Sequence, residues 1–173
     1  MALRYNLKQP WGFVVPEVSV RSLNNFYDQD TVENTNFRSN SEDKSVVVPQ
    51  FTLDTGLTFE REGKYLQTLS PRAFYAYAPH QNQDDYPNFD STAASLNYDQ
   101  LFNPKRFYGH DRLEDNNFLS LGLSYSLFGT TGLEKLRTSI GQSFYFDDRK
   151  VTLNNSQNDP FNTERQTGPV ISI

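Results

Sequence analysis

Val47-Val48-Pro49-Gln50-Phe51-Thr52-Leu53-Asp54-Thr55-Gly56-Leu57-Thr58-Phe59-Glu60 decides the fold class. Its odd positions hold apolar residues, a proline or a small Thr, and its even positions are mostly polar. As a strand it presents Val47, Pro49, Phe51, Leu53, Leu57 and Phe59 to one medium and Gln50, Thr52, Asp54, Thr58 and Glu60 to another. An ordinary globular strand runs about five or six residues. A transmembrane β-strand needs roughly 9–11 residues with this kind of alternation. The length of the pattern points to a membrane.

The same period recurs along the chain. From Thr68 to Ala78, Leu69, Pro71, Ala73, Tyr75 and Tyr77 oppose Thr68, Ser70, Arg72, Phe74 and Ala76. Leu119, Leu121, Leu123, Tyr125 and Leu127 form a ladder backed by Ser120, Gly122, Ser124 and Ser126. Leu136, Thr138, Ile140, Gln142, Phe144 and Phe146 oppose Arg137, Ser139, Gly141, Ser143 and Tyr145. Val14, Pro16, Val18 and Val20 oppose Val15, Glu17, Ser19 and Arg21. A first strand is expected near Ala2 to Lys8 and a last one from Gly168, which makes about seven in all.

Connection lengths alternate as well. Gln9–Gly12, Glu62–Lys64 and Gly129–Leu133 are short, whereas Asp28–Ser45, Pro79–Asn116 and Asp147–Thr167 are long and polar. Short periplasmic turns and long extracellular loops are the habit of outer-membrane barrels. The predicted fold class is therefore all-β: antiparallel strands forming part of a large transmembrane outer-membrane β-barrel. Residues 1–173 would be one piece of such a barrel domain. With strands at both ends of the chain, that piece would have two open edges, which lipid does not tolerate, so a larger barrel is expected to complete it.

Composition fits this reading. Mean hydropathy is strongly polar and no apolar run approaches the ~18 residues of a transmembrane helix, but barrels escape such scans because half of each strand faces water. Leu, Ile, Val and Phe make up about a quarter of the chain, above the range of disordered sequences. The net charge of −5 argues against a nucleic-acid partner, and the absence of cysteine removes disulfides and thiolate metal sites. No secretory leader is visible at Met1, as expected of a segment or of a chain whose leader has been removed. Pro16, Pro49 and Pro71 interrupt strand patterns, each removing a ladder donor, and are expected to mark bulges or bends. Phe13, Tyr75, Tyr77 and Phe144 or Phe146, near strand ends, read as interfacial girdle residues.

Candidate functional residues lie on the wet face. Glu17, Arg21, Gln50, Asp54, Arg72 and Arg137 point to the lumen, either solvated or paired with one another, or available to a partner or saccharide. His80 and His110 sit in or beside the long loop, near Asp111, Glu114 and Asp115. Their spacing matches no metal motif, and no serine has a nucleophile setting. Neither an enzyme nor a metal or cofactor site is expected. A barrel hydrolase remains a formal alternative.

Several runs carry a family resemblance. Tyr65-Leu66-Gln67-Thr68-Leu69-Ser70-Pro71-Arg72-Ala73-Phe74-Tyr75-Ala76-Tyr77-Ala78-Pro79, continued by Asn82-Gln83-Asp84-Asp85-Tyr86-Pro87-Asn88-Phe89-Asp90-Ser91, resembles the LptD family of lipopolysaccharide-assembly proteins. Tyr108-Gly109-His110-Asp111-Arg112-Leu113-Glu114-Asp115-Asn116-Asn117 and Ser139-Ile140-Gly141-Gln142-Ser143-Phe144-Tyr145-Phe146 are similar to segments that follow in that family. The resemblance implies a central barrel segment without the periplasmic N-terminal domain. It also implies delivery of lipopolysaccharide to the outer leaflet of the bacterial outer membrane, received from a periplasmic bridge protein. An LptE-like plug lipoprotein inside the barrel is the implied partner. Arg21, Gln50, Asp54 and Arg72 on the lumen wall, with Asp84, Asp85, Tyr86 and Asn88 in the long loop, are the candidate partner contacts. The loop's many aromatic residues are expected to fold inward over the lumen. A general porin and a soluble carbohydrate-binding β-sandwich share the alternation and are the competing readings.

The face assignment makes a prediction. Leu121→Arg or Leu123→Arg near the bilayer midplane should cost about 2–4 kcal/mol in folding titrations of the intact barrel, whereas Ser120→Arg or Ser124→Arg should cost much less.

Overall fold

A computed structural model describes residues 1–25, 44–83, 91–109, 112–151 and 164–173. Its strands are β1 (Ala2–Arg4), β2 (Leu7–Gln9), β3 (Gly12–Asn25), β4 (Lys44–Leu57), β5 (Phe59–Arg61), β6 (Leu66–Ala78), β7 (Thr92–Ala93), β8 (Phe107–Tyr108), β9 (Asn116–Phe128), β10 (Glu134–Tyr145) and β11 (Val170–Ser172). Nine of them form one antiparallel sheet in the order β1-β3-β4-β6-β9-β10-β11, with β2 beside β3 and β5 beside β6. Each long strand pairs with the next long strand in sequence, so the sheet is an up-and-down meander. The strands β3, β4, β6, β9 and β10 run 12 to 14 residues, enough to cross a hydrocarbon layer. Among the described residues no helix is long and apolar enough to do so.

The prolines act differently from the expectation of bulges. β1 and β2 continue one register along β3, from Ala2↔Ser19 to Gln9↔Gly12, and are separated opposite Pro16. The Tyr5 N–H donates to the Pro16 carbonyl at 3.1 Å, but Pro16 has no N–H to return the bond. The first strand is thus split by one missing rung. Likewise β4 and β5 share one register along β6, from Phe51↔Tyr77 to Arg61↔Gln67, and part opposite Pro71. The register shift recorded in these ladders lies elsewhere, between Glu134 and Leu136 where β10 meets β9.

The faces follow the predicted alternation. Ser120 is 0% exposed while Leu121 and Leu123 on the opposite face are 46% and 41% exposed. Val14, Val18, Val20, Val47, Phe51, Leu57, Leu69 and Ile140 are exposed on the same outer side. Phe51, Tyr75 and Phe146 make ring contacts there, with centroids 6.4 Å apart in each pair. Phe13 departs from the girdle expectation. Its ring lies against the inner position of Gly56, where parity with Val15 and Glu17 puts it.

The core sits on the inner face, in two clusters. Phe74, Ala76, Leu101, Phe102 and Phe118 form one, joined by Tyr98, Tyr145 and Val170. Leu23, Val48, Ala78 and Leu113 form the other, nearer the long-loop end. Leu101, Phe102 and Leu113 come from the Pro79–Asn116 connection, which also contains β7, β8 and a 3-10 turn at Asp99–Phe102, short elements with no signature in the alternation pattern.

The outer face and the three-residue strands β1 and β11 at the sheet edges are apolar and uncovered. Residues 1–173 produced alone should therefore aggregate in plain buffer. A monodisperse monomer that unfolds cooperatively by circular dichroism would contradict this.

Candidate functional site

The inner wall is built from residues too small to fill it. Ser120, Gly122 and Ser124 of β9 stand opposite Ser143, Gly141 and Ser139 of β10. The facing serine hydroxyls pair with each other, Ser120 with Ser143 at 2.6 Å and Ser124 with Ser139 at 2.9 Å. These pairs satisfy buried polar groups without bulk and leave a shallow valley. The 3-10 turn fills it. A Cβ on Gly122 would lie 2.5 Å from Phe102 Cζ and 2.7 Å from the Tyr98 hydroxyl, and one on Gly141 would lie 2.7 Å from Leu101 Cδ1. The Ser124 hydroxyl donates to the Tyr98 oxygen at 2.9 Å. Ser124 is eight residues down β9 from the loop's return at Asn116, roughly 26 Å along the strand at ~3.3 Å per residue. The long loop therefore enters the barrel wall's interior rather than capping its rim.

Arg72 receives the turn from the β6 side. Its guanidinium lies 4.2 Å from the Phe102 ring centroid and forks onto Asp54, with Nε to Oδ1 at 2.9 Å and Nη2 to Oδ2 at 2.7 Å. Such bidentate pairing over an aromatic face is suited to Arg and not to Lys.

Nearer the loop end, two consecutive acids tie the structure together. Glu114, almost fully buried, pairs with Arg21 of β3 and also accepts the Phe107 N–H at 3.3 Å. Asp115 accepts from Arg106 at 2.6 Å and from the N–H groups of Lys150 and Val151 at 2.6 and 3.2 Å. Burial lowers the Arg106 pKa and the Asp115 carboxylate opposes that shift, so the pair keeps a desolvated cation charged. Gln83 braces the same segment, donating from Nε2 to the Leu113 carbonyl at 2.8 Å and accepting the Leu113 N–H at 2.9 Å. Glu114 thus fastens the loop to the wall, and Asp115 fastens it to the next loop.

Of the sequence-derived candidates, Arg21, Asp54 and Arg72 are on the inner face and are engaged within the chain. Gln50 is also inward, 6% exposed, and among the described residues its Nε2 has no hydrogen-bond partner. Glu17 lies 3.9 Å from Arg4, and Arg137 pairs with Glu134 at 2.7 Å. Asp84, Asp85, Tyr86 and Asn88 lie outside the described residues, as do His110 and Asp111. Tyr98, Leu101, Phe102 and Glu114 were not singled out as wall contacts in the sequence. The signal for them was the alternation of small and polar residues at 120–126 and 139–143, which leaves room for something large.

The model of the LptD family, LPS transport system D, matches residues 1–169. The chain belongs to the LptD family. The LPS-assembly proteins LptD of Acinetobacter baumannii and Acinetobacter baylyi are 70% and 67% identical to it over 172 residues, which is 99% of this chain and 21% of each relative. The LPS-assembly protein LptD of Neisseria meningitidis serogroup B (strain MC58) is 39% identical over 164 residues, 89% of this chain and 19% of that protein. The chain thus spans about a fifth of the length of these LptD relatives. Membership places it in the outer membrane of Gram-negative bacteria and bears out the antiparallel barrel-wall expectation. The general-porin and soluble-sandwich readings fall away with it.

The covered valley changes the contrast predicted above. Ser124 is taken by the inward turn and Ser120 is fully buried against Ser143, so an Arg at either displaces packed groups, and the less costly inner positions are half-buried ones such as Ser19 or Thr68. The same packing makes Gly122→Ala a specific probe. It should cost about 1–3 kcal/mol through overpacking against Phe102 and Tyr98 and expose residues 91–109 to protease in the full-length protein, whereas Gly168→Ala, with nothing within 4 Å, should leave that loop protected.

Proposed function

We propose that this chain is part of the barrel wall of the translocon that assembles lipopolysaccharide into the outer leaflet of the outer membrane. Its long loops face the cell exterior, and its lumen side helps seat an LptE-like plug lipoprotein. No covalent chemistry is involved, and the chain is not an enzyme. Lipopolysaccharide reaches the barrel from a periplasmic bridge protein through an N-terminal domain elsewhere in the full-length protein. The reading rests on family membership and on one structural observation, the long loop folded deep onto a small-residue inner wall and held by Glu114 and Asp115. A loop fixed in this way narrows the lumen on one side and offers its remaining surface to whatever occupies the rest.

Arg21, Asp54 and Arg72 support that surface from beneath, because their charges are already neutralised, Arg21 by the loop's Glu114 and Arg72 and Asp54 by each other. Gln50, with an unpaired amide nitrogen, is the wall residue suited to a direct polar contact. Asp84, Asp85, Tyr86 and Asn88 are proposed as the loop's contacts with the plug.

Photo-crosslinkers at Asp84, Asp85, Tyr86, Asn88 and Gln50 of the full-length protein should capture the plug lipoprotein. Glu114→Ala strands the partly buried Arg21, a loss of about 3–5 kcal/mol for a broken buried pair, and should abolish capture at the four loop positions. Capture at Gln50 alone would make the loop a surface cover and sink the contact reading.

A further inference from the structure

At the short-turn end of the outer face, two cations share one aromatic ring. Lys64 Nζ lies 5.8 Å and Lys135 Nζ 5.1 Å from the Tyr65 ring centroid. Lys135 reaches Tyr65 because Gly129 has no side chain: its own Cε passes 2.8 Å from where a Gly129 Cβ would stand. The chain shift between Glu134 and Leu136 frees Lys135 from the ladder to lean across. Glu134, its sequence neighbour, is committed to Arg137. Among the described residues no ion pair involves Lys64 or Lys135. Two ammonium groups thus lie within 6 Å of one ring centroid, and neither is ion-paired among the described residues.

Farther up the same face is an apolar groove of about 620 Å³, lined by Leu57, Pro71, Ala73, Leu121, Leu123 and Ile140 among others. Pro71 is six residues from Tyr65, roughly 20 Å along the strand. With the usual barrel strand tilt of about 40°, that is about 15 Å of depth, half of a hydrocarbon core ~30 Å thick. Leu69, Tyr125 and Leu127 line the way between. A lipid whose phosphate sits at the lysines would end its acyl chain in the groove.

We infer that Lys64, Lys135 and Tyr65, with the groove above them, form a binding site for an anionic glycerophospholipid of the leaflet on the short-turn side. The lysines neutralise the phosphate, the Tyr65 ring orients each ammonium at the strand end, and the groove takes one acyl chain. Such a lipid tethers this part of the wall to one leaflet while the long-loop end serves the other. The inference rests on the outer face meeting lipid, and its test separates the two.

The full-length protein with its partner, in nanodiscs of phosphatidylethanolamine containing a phosphatidylglycerol with a photoactivatable acyl-chain end, would be irradiated and its labelled residues mapped. Labelling should concentrate at Leu121, Leu123 and Ile140 over Val18 and Val20. K64Q/K135Q should lower it about thirtyfold, as expected for two lysines at about 1 kcal/mol each near an anionic surface, while K64R/K135R retains it. Equal labelling of Val18 and Leu123, or groove labelling indifferent to K64Q/K135Q, would overturn the site and leave the lipid-facing wall standing. No labelling on either part of the face would remove the lipid-facing wall as well.

Discussion

A polypeptide in hydrocarbon has no water to satisfy its N–H and C=O groups, and every other feature of this wall depends on that constraint. It explains why the chain is a meander of long strands whose partners are their sequence neighbours: each rung closes before the next strand is needed. It explains the treatment of the prolines. Pro16 and Pro71 each delete one donor, and the sheet absorbs the loss by skipping a rung without changing register, so the alternation of faces is kept on both sides of the gap. Gln142, a polar residue on the outer face, obeys the same demand by donating its amide to the Thr167 carbonyl at 2.7 Å.

On the inner side the constraint is volume. Rows of Ser and Gly give a wall that is polar in composition and hollow in shape, and an empty hollow forfeits contact on one side. The long loop supplies Tyr98, Leu101 and Phe102 to fill it. Pairing the serines with each other is what lets rings pack on them, because no hydroxyl except that of Ser124 is then needed by the loop. Arg72 is retained at the edge of this patch by the double bond to Asp54, and its flat face serves as one more surface for Phe102.

The acids at 114 and 115 convert that packing into a fixed placement. Hydrophobic filling alone does not specify where a loop must sit, whereas a carboxylate almost wholly buried against one arginine does, since displacement would strand a charge. The consequence for function is a lumen partly occupied by the protein's own loop, with its charged wall residues already spent. On the proposed reading, a plug in the lumen would meet a surface made jointly by wall and loop.

The sequence by itself determined the sheet. Period-two alternation at 14–22, 47–60, 68–78, 119–127 and 136–146 is a local property, and in a medium with two sides it leaves one choice of which residues face where; the structure follows it at every long strand, and only Phe13, read as a girdle residue, turns inward instead. Alternating short and long connections determined the meander for the same reason, since a short turn can join only antiparallel neighbours. Tertiary structure alone decided the site. Nothing in the spacing of Arg21 and Glu114, 93 residues apart, or of Tyr98 and Ser124, announces contact. Those pairings depend on how far a long loop turns back into the barrel, which is set by the volume left on the far side of the strands and not by any period along the chain.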